Sequence, residues 1–258
     1  MKKTLIALMI ATVSGSAIAE SGTFTLSGII NIKESSPWEV IIGNGKSDLN
    51  VEMKSGDKMV VFKSAAPIPI LGIRTKSESF FRGASSISPQ IDFGGMLDLS
   101  DGEDGMAKLV IPVKRTVDGK KFATFVTALT MGAGMISYSK GQASSALQNE
   151  LIASTLGDAF FGGLPVDDGN SLEEHTVFTR ITGISAEYTK NFPHESYPKW
   201  DDEGFITSRF DDTGRQYQAF YGSGIEVNQD MGLLLDEPAK TSSSVPWVAS
   251  LPITVSYM

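Results

Sequence analysis

The chain closes on the nine residues SLPITVSYM, in which apolar and polar side chains alternate. The apolar positions are Leu251, Ile253, Val255 and Tyr257, which places them on one face of an extended strand. No residue of the sequence follows Met258, so we expect no later strand of this chain to cover the outer edge of this one. An uncovered apolar edge recruits further strands. The sequence thus predicts a last strand that needs a partner.

A second alternating segment lies near the start of the chain, in ESGTFTLSGIINIKESSPW. Its predicted apolar face consists of Phe24, Leu26, Gly28, Ile30 and Ile32. Polar residues occupy most of the other face, which is the pattern of a β-strand. Glycine inside a strand marks either a bulge or a point where another group comes close to the backbone. Both interpretations of Gly28 remain open from the sequence alone.

The first nineteen residues, MKKTLIALMIATVSGSAIA, have the order of parts of a secretory signal peptide. Lys2 and Lys3 precede the apolar run Leu5–Val13, which is too short to span a bilayer as a helix. The run ends at the small-residue pattern Ala17-Ile18-Ala19. We expect cleavage after Ala19, export to the periplasm through the Sec route, and no contribution of residues 1–19 to the fold.

Composition excludes several classes of partner and chemistry. The formal net charge is −8, and removal of Lys2 and Lys3 makes the chain more acidic still. Nucleic acids and anionic lipids are bound by clustered Lys and Arg, so we expect neither as a partner. The chain has no cysteine. A disulfide framework and cysteine-based metal or nucleophile chemistry are therefore excluded.

Between the two ends, short alternating runs recur at regular intervals and are separated by turn sequences such as GNGKSD, SDGEDG and VDGKK. This spacing predicts an antiparallel β-sandwich. The predicted strands are Glu39–Ile42, Leu49–Met53, Met59–Phe62, Ile68–Ile73, Gln90–Phe93, Met106–Lys114, Lys121–Thr130, Phe205–Phe210, Gln216–Tyr221, Gly232–Leu235 and Trp247–Tyr257.

One region departs from the strand pattern. The stretch KGQASSALQNELIASTLGDAFFGGLP predicts a helix, with a capping box from Ser145 to Gln148 and a stop at Gly162-Gly163. A second capping box, Ser171 with Glu174, predicts a helix in SLEEHTVFTRITGISAEY. A polar loop follows. We expect residues 140–204, approximately, to be a helical insertion carried on the sandwich.

No catalytic motif is visible in the sequence. His175 and His194 lie in polar surroundings and not in a metal-ligand pair, so we predict no enzyme activity, no metal and no cofactor. The inserted loop also holds Tyr197 and Trp200 beside acidic residues. Aromatic faces next to hydrogen-bonding groups suit sugar rings, and buried aromatics equally anchor loops. Tyr197 and Trp200 are therefore possible glycan contacts, with loop anchoring as the other interpretation.

Taken together, the signal peptide, the N-terminal alternating strand and the final strand with its penultimate aromatic residue resemble a chaperone–usher fimbrial subunit. More specifically, the chain is similar to the Fae-type (kappa-class) fimbrial subunits, which are large, cysteine-free and carry an inserted helical region. The matching stretches are PILGIRTKSESFF, SPQIDF, LDLSDGEDGMAKLVIPVK, SSALQNELIASTLGDAFFGGL, YGSGIEV and WVASLPITVSYM.

This resemblance implies an incomplete immunoglobulin-like sandwich that is completed by donor-strand exchange. A periplasmic chaperone first lends the missing strand, and at the outer-membrane usher the N-terminal strand of a neighbouring fimbrial subunit replaces it. By motif position, Phe24, Leu26, Gly28, Ile30 and Ile32 are the donor-strand residues. The acceptor groove is implied at Leu251, Ile253, Val255 and Tyr257, and the carboxylate of Met258 is implied to dock on the chaperone.

The sequence thus predicts a signal peptide (1–19), a donor strand (20–33) and an incomplete sandwich domain (34–258). The predicted function is that of a structural subunit of a cell-surface fimbrium that contributes to host-cell adhesion. An alternative is an adhesin subunit that binds a host glycan through the insertion. A third possibility is a self-contained periplasmic sandwich domain, in which the first strand folds into its own sheet.

Overall fold

A computed structural model of the protein describes residues 36–240 and 244–258. Within these ranges the chain is mostly β-strand, with two short helices, which confirms the expected all-β sandwich with a small helical insertion. The strands are β1 (Trp38–Ile42), β2 (Met59–Lys63), β3 (Ile68–Thr75), β4 (Phe81–Arg82), β5 (Pro89–Asp92), β6 (Leu97–Glu103), β7 (Met106–Arg115), β8 (Lys121–Ser139), β9 (Leu147–Leu151), β10 (Trp200–Ile206), β11 (Arg215–Ile225), β12 (Asp230–Leu235), β13 (Trp247–Ala249) and β14 (Thr254–Tyr257). The helices are α1 (Val177–Ile184) and α2 (Ala186–Thr189).

The long strand β8 organises the larger sheet. Its first part pairs with β7 and β12, and its second part pairs with β11 and β9. The principal strand order is β1-β3-β11-β8-β12-β2, and these neighbours are antiparallel. Strand β8 therefore joins two half sheets. The first half sheet comprises β7, β8, β12 and β2, and the second comprises β8, β11, β3 and β1.

A second, smaller sheet consists of β5 and β14, which pair antiparallel with Val255 opposite Ile91. The end of the chain belongs to both sheets, because β13 pairs with β7 of the larger sheet. Strands that switch between sheets are typical of the corners of β-sandwiches. The core between the sheets is apolar, and Trp38 of β1 contacts the rings of Phe81, Phe160 and Phe210 at centroid distances of 5.1, 5.7 and 5.0 Å.

The two helices cover the outer face of the second half sheet. Helix α1 buries Val177, Ile181 and Ile184, and α2 buries Tyr188. Together with Phe192 and Phe220 these side chains form a second apolar cluster. The outer face of the second part of β8 is buried under this layer, which explains why the strand is buried on both faces from Thr130 to Ser137.

Two arginines fasten this helical layer to the strands. Arg180 of α1 pairs with Glu226, which follows β11, at 2.7 Å and with Asp104 at 3.2 Å. Arg74 of β3 pairs with Glu39 of β1 at 2.9 Å, and its guanidinium also contacts Glu187 of α2 at 3.3 Å. The side chain of Arg74 is 8% exposed, whereas its partners Glu39 and Glu187 are 45% and 59% exposed. The ion pairs of Arg180 and Arg74 thus hold the helices in position over the sheet.

The predicted helix in residues 140–165 is wrong. Residues 143–145 form a single 3-10 turn, and Leu147–Leu151 form strand β9, paired with β8 and in parallel with β10. The physical reason is that an edge of β8 is available there for pairing. The second predicted helix is confirmed in kind, but α1 begins at Val177 and not at the Ser171 capping box. Both helices lie within residues 140–204.

Most predicted strands are present, with four differences. The predicted strand Phe205–Phe210 is displaced, because β10 spans Trp200–Ile206 and residues 207–210 lie outside any strand. Strands β4 and β6 are missed by the sequence pattern, and Leu49–Met53 is not part of a strand. The predicted strand Trp247–Tyr257 is divided into β13 and β14. Pro252 lies in the gap, where its missing N–H is not needed by either strand. It packs against Gly94, whose φ of +63° and lack of a side chain permit this approach.

Candidate strand-acceptor site

The last strand alternates in exposure as its sequence does. Leu251, Ile253 and Val255 are half-buried and pack against the main core, whereas the residues between them are exposed. Tyr257 and Met258 are more accessible, at 37% and 52% exposure. A core-facing row that stays half-exposed marks a part of the core that the described residues do not fully cover.

The hydrogen-bond register shows which backbone groups of β14 are paired. The amide of Met258 donates to the carbonyl of Ser88 at 3.0 Å, and the amide of Ser88 donates back at 3.1 Å. In an antiparallel ladder such pairs alternate with residues whose N–H and C=O groups point the other way. Val255 and Tyr257 therefore direct their backbone groups away from β5. We call these groups the outer edge of β14.

Among residues 36–240 and 244–258, no strand pairs with the outer edge of β14. The other edge of β5 is occupied, because the amide of Ile91 donates to the carbonyl of Phe161 at 2.8 Å. The small sheet can thus grow only on the β14 side. Unpaired donors and acceptors beside half-buried apolar side chains form a site that an extended peptide fits.

The segment between β1 and β2 has the exposure pattern of a strand without being one. Leu49, Val51 and Met53 are half-buried, and Asn50 and Glu52 are exposed. Leu49 and Val51 pack against the same core as β14. Residues 44–53 make no backbone hydrogen bond to another described residue. The alternating exposure predicted for Leu49–Met53 is thus confirmed. The prediction that this segment pairs as a strand is wrong.

Strand β1 adds two further exposed apolar residues on the side that faces the core. Trp38, Val40 and Ile42 lie on the same face of β1 because they are spaced by two. Trp38 is 3% exposed, but Val40 and Ile42 are 37% and 53% exposed. The core-facing side of β1 is therefore covered at its start and, by the described residues, uncovered at its end.

Several sequence predictions fall on residues that the structure does not describe. The signal peptide (1–19), the donor strand (20–33) and its residues Phe24, Leu26, Gly28, Ile30 and Ile32 all lie outside the described ranges. Their assignments remain predictions.

The two aromatic residues proposed as glycan contacts are half-buried and packed. Tyr197 contacts the ring of Phe80 at a centroid distance of 5.3 Å. Trp200 contacts the exposed His175 at 4.4 Å and His194 at 6.0 Å. These contacts anchor the loop. They leave part of each side chain accessible, so they do not decide between the two interpretations.

Strand β9, predicted as helix, supplies buried polar side chains that hold the insertion. The Gln148 side-chain amide donates to the carbonyls of His194 and Tyr197, and its oxygen lies 2.8 Å from His194 Nδ1. Burial lowers the pKa of His194, whose ring stacks on Phe178 at 4.3 Å. Because Gln148 is 1% exposed, these bonds fix the loop to the sheet from below.

Glu150, two residues along β9, holds the start of α1. Its carboxylate accepts the amides of His175 at 2.9 Å and Val177 at 3.2 Å. The side chain is 3% exposed, and burial raises the pKa of Glu150 even though these two hydrogen bonds oppose the rise. The side-chain amide nitrogen of the neighbouring Asn149 is buried and has no hydrogen-bond partner among the described residues. This strand therefore serves the placement of the helices.

The described residues provide neither a membrane-spanning helix nor a cluster of metal ligands. No helix among them is long and apolar enough to cross a membrane. Among the same residues, no three side chains of the His, Cys, Asp and Glu types are grouped so that they could hold a metal ion.

Sequence reasoning missed the close packing of the helices on glycines. The pairs Gly132/Gly134 and Gly222/Gly224 lie on adjacent strands β8 and β11. A Cβ on Gly132 would lie 2.8 Å from Val177, and one on Gly224 would lie 2.5 Å from Ile184. Alternating glycines in TMGAGM and YGSGI were the available sign, because glycine in a strand permits close approach.

Comparison with known proteins gives concordant matches. Residues 1–258 match the profile of a family described as "Fimbrial, major and minor subunit", of the K88 type. The chain is also 26% identical to the K88 fimbrial protein AC of Escherichia coli over 298 residues, with all of both chains covered.

Proposed function

The chain belongs to the K88-type family of fimbrial major and minor subunits, and we propose that it is a structural subunit of a surface fimbrium assembled by donor-strand exchange. In this proposal residues 1–19 direct export, residues 20–33 are the donor strand, and residues 34–258 form the acceptor domain. The periplasmic chaperone, the outer-membrane usher and neighbouring subunits are the partners. The fimbrium contributes to host-cell adhesion. The proposal assigns no catalytic activity to the chain.

The outer edge of β14 is the observation that carries this proposal. Val255 and Tyr257 present backbone groups that no described strand pairs, beside the half-buried row Leu251, Ile253 and Val255. A strand added here gains main-chain hydrogen bonds along its length. The extended segment that contains Leu49 and Val51 packs on the same core and offers further unpaired backbone.

The predicted donor strand has the side chains to fill such a groove. Phe24, Leu26, Ile30 and Ile32 are apolar and share one face of an extended segment. Burial of four such side chains contributes on the order of 10 kcal/mol before the costs of ordering. That is enough to hold neighbouring subunits without a covalent bond. During assembly the chaperone occupies the same edge and contacts Leu251, Ile253, Val255, Tyr257 and Met258.

Substitution of Gly28 tests the proposal in assembled fibres. We expect Gly28→Leu to block fibre growth, because the added side chain meets the groove where the native strand has none. Ser27→Leu is the matched control, since the alternation places Ser27 on the opposite face of the predicted strand. Both variants are expressed with the chaperone and usher, and surface fibres are counted by electron microscopy. Normal fibres from Gly28→Leu would contradict this role of Gly28.

The adhesin alternative is favoured by one observation, the half-exposed Trp200 beside the exposed His175. In that case the purified subunit binds host glycans, and Trp200→Ala abolishes binding while the fold is retained. Tyr197→Ala tests the second aromatic in the same assay. If neither the wild-type subunit nor its fibres bind glycans, the adhesin alternative is wrong and only the structural role remains.

A further inference from the structure

One outer face of the sandwich carries apolar side chains that the described residues leave accessible. The helices cover the outer face of the second half sheet. On the first half sheet the outward side chains are not covered in this way. Met59, Val61, Leu234 and Val248 are exposed by 58%, 53%, 46% and 45%.

The strand register shows that these residues form one continuous surface. Val61 of β2 lies opposite Gly232 of β12, which lies opposite Val126 of β8, which lies opposite Val110 of β7. The next row runs from Met59 through Leu234 and Thr124 to Pro112 in the same order. Val248 follows on β13, opposite Lys114. We call the surface formed by Met59, Val61, Leu234, Val126, Val110 and Val248 the apolar stripe.

A small cavity lies at the β13 end of the apolar stripe. Its volume is about 100 Å³, and Met96, Pro112, Lys114, Val248 and Ser250 line it. This volume can accept one apolar side chain of a partner. Ser250, which lines the cavity, directly precedes Leu251 of the half-buried row in the chain.

Charged pairs border the apolar stripe on both sides. Lys63 pairs with Asp230 at 2.8 Å beyond Val61, and Lys121 pairs with Asp236 at 2.7 Å on the other side. An apolar centre with a charged rim is the usual composition of a protein interface. Lys58 lies at the rim and Lys114 lines the cavity, and neither lysine forms an ion pair with a described residue.

Size and charge together indicate a second copy of the chain as the partner. With strands about 4.8 Å apart, two rows over four or five strands cover on the order of 300 Å², whereas a stable standard interface needs roughly 800 Å² per partner. The surface is therefore too small to hold a free partner, but it suffices for a copy that is already tethered nearby. The positive charges of Lys58 and Lys114 complement a chain whose net charge is −8.

We propose that the apolar stripe is a lateral contact between copies of this subunit within the fibre. The inference rests on the proposed function, because donor-strand exchange supplies the tether that brings the copies together. The neighbour whose strand lies along β14 is held beside Val248 and Ser250. Its body covers the stripe and inserts a side chain into the cavity.

Site-specific cross-linking in intact fibres tests this contact. Because the chain has no cysteine, a single introduced cysteine carries a benzophenone probe without background. The probe positions are Val61→Cys and Val248→Cys in the stripe. Val117→Cys is the matched control, since Val117 is 83% exposed in the turn after β7. Ser256→Cys on β14 reports the donor-strand joint. Fibre yield is checked for each full-length variant by electron microscopy.

We expect covalent subunit pairs from Val61→Cys and Val248→Cys, linked to peptides outside residues 20–33, and none from Val117→Cys. The Ser256→Cys probe should link to residues 20–33. If Ser256→Cys links so and the stripe probes give only single subunits, or products with lipid or another protein, the lateral contact is wrong while the joint stands. If fibres form and Ser256→Cys does not link to residues 20–33, the donor-strand proposal fails as well.

Discussion

At the scale of single residues, glycine decides how closely the helices approach the strands. Gly72 of β3 lies directly under the ring of Tyr188, which is 1% exposed. A Cβ at this position would lie 2.0 Å from Cδ1 of the Tyr188 ring and would overlap it. The same relation holds for Gly222 under Ile181. Small residues on one face of the strands therefore fix the position of the helical insertion.

Gly72→Ala is accordingly expected to destabilise the protein by about 1–3 kcal/mol through overpacking. Gly183→Ala is the matched control, because Gly183 is exposed in α1 and a Cβ there meets no atom within 4 Å. That change should stabilise the helix by up to about 1 kcal/mol, since alanine has the higher helix propensity. Denaturant unfolding of both variants measures the two effects. Equal stability of Gly72→Ala and wild type would contradict the close contact with Tyr188.

A second prediction at this scale concerns Glu150. Burial raises its pKa above the ordinary value of 4.5, so the folded protein binds this proton more tightly than the unfolded chain does. Its contribution to stability is thus present below the unfolded pKa and is lost as the pH rises through the folded pKa. The stability of Glu150→Gln relative to wild type should increase as the pH is raised through this window. If the unfolding free energies of Glu150→Gln and wild type changed in parallel with pH, folding would not shift the pKa of Glu150.

At the scale of elements, β14 combines an apolar inner row with an unpaired outer edge. Tyr257 extends this row and is 37% exposed. We expect Tyr257→Ser to weaken capture by the chaperone and to lower the level of the subunit in the periplasm, because it removes an apolar group from the groove. Quantitative immunoblotting of periplasmic extracts measures this level. Ser256→Ala, on the opposite face, should leave it unchanged, and an equal level for Tyr257→Ser would count against the groove.

The elements also show how far local sequence determines structure here. Alternation in exposure at Leu251, Ile253 and Val255, and at Leu49 and Val51, could be predicted, because a strand with one apolar face has a period of two. Whether such a segment pairs depends on what lies beside it. For this reason Leu49–Met53 keeps the alternation and lacks the partner.

Strand β9 was mispredicted as helix because its leucine spacing and capping box are compatible with a helix. Its structure depends instead on the distant edge of β8 and on bonds across the insertion. Gln148 bonds to Tyr197, 49 residues away, and Glu150 bonds to His175, 25 residues away. No local pattern contains such partners. The candidate acceptor row was therefore predictable from the sequence, whereas the support of the insertion was not.

At the scale of the whole molecule, the chain is a fimbrial subunit of the K88-type family whose described core is partly uncovered. Val40, Ile42 and Tyr257 remain accessible on faces directed toward the core. The helical layer, in contrast, leaves β8 buried on both faces from Thr130 to Ser137. The uncovered positions lie near β1 and β14, where we propose that a strand from another subunit completes the sandwich.

The most direct measurement compares the thermal unfolding of two purified proteins. One consists of residues 34–258, and the other carries residues 20–33 after Met258 through a flexible linker. A control carries the same appended segment with Gly28→Leu. If the strand contributes on the order of 10 kcal/mol, the melting temperature should rise by roughly 20–40 °C in a soluble monomer, and the control should lose much of this gain. Identical melting of two stable monomers would show a sandwich that is already closed and would contradict donor-strand exchange.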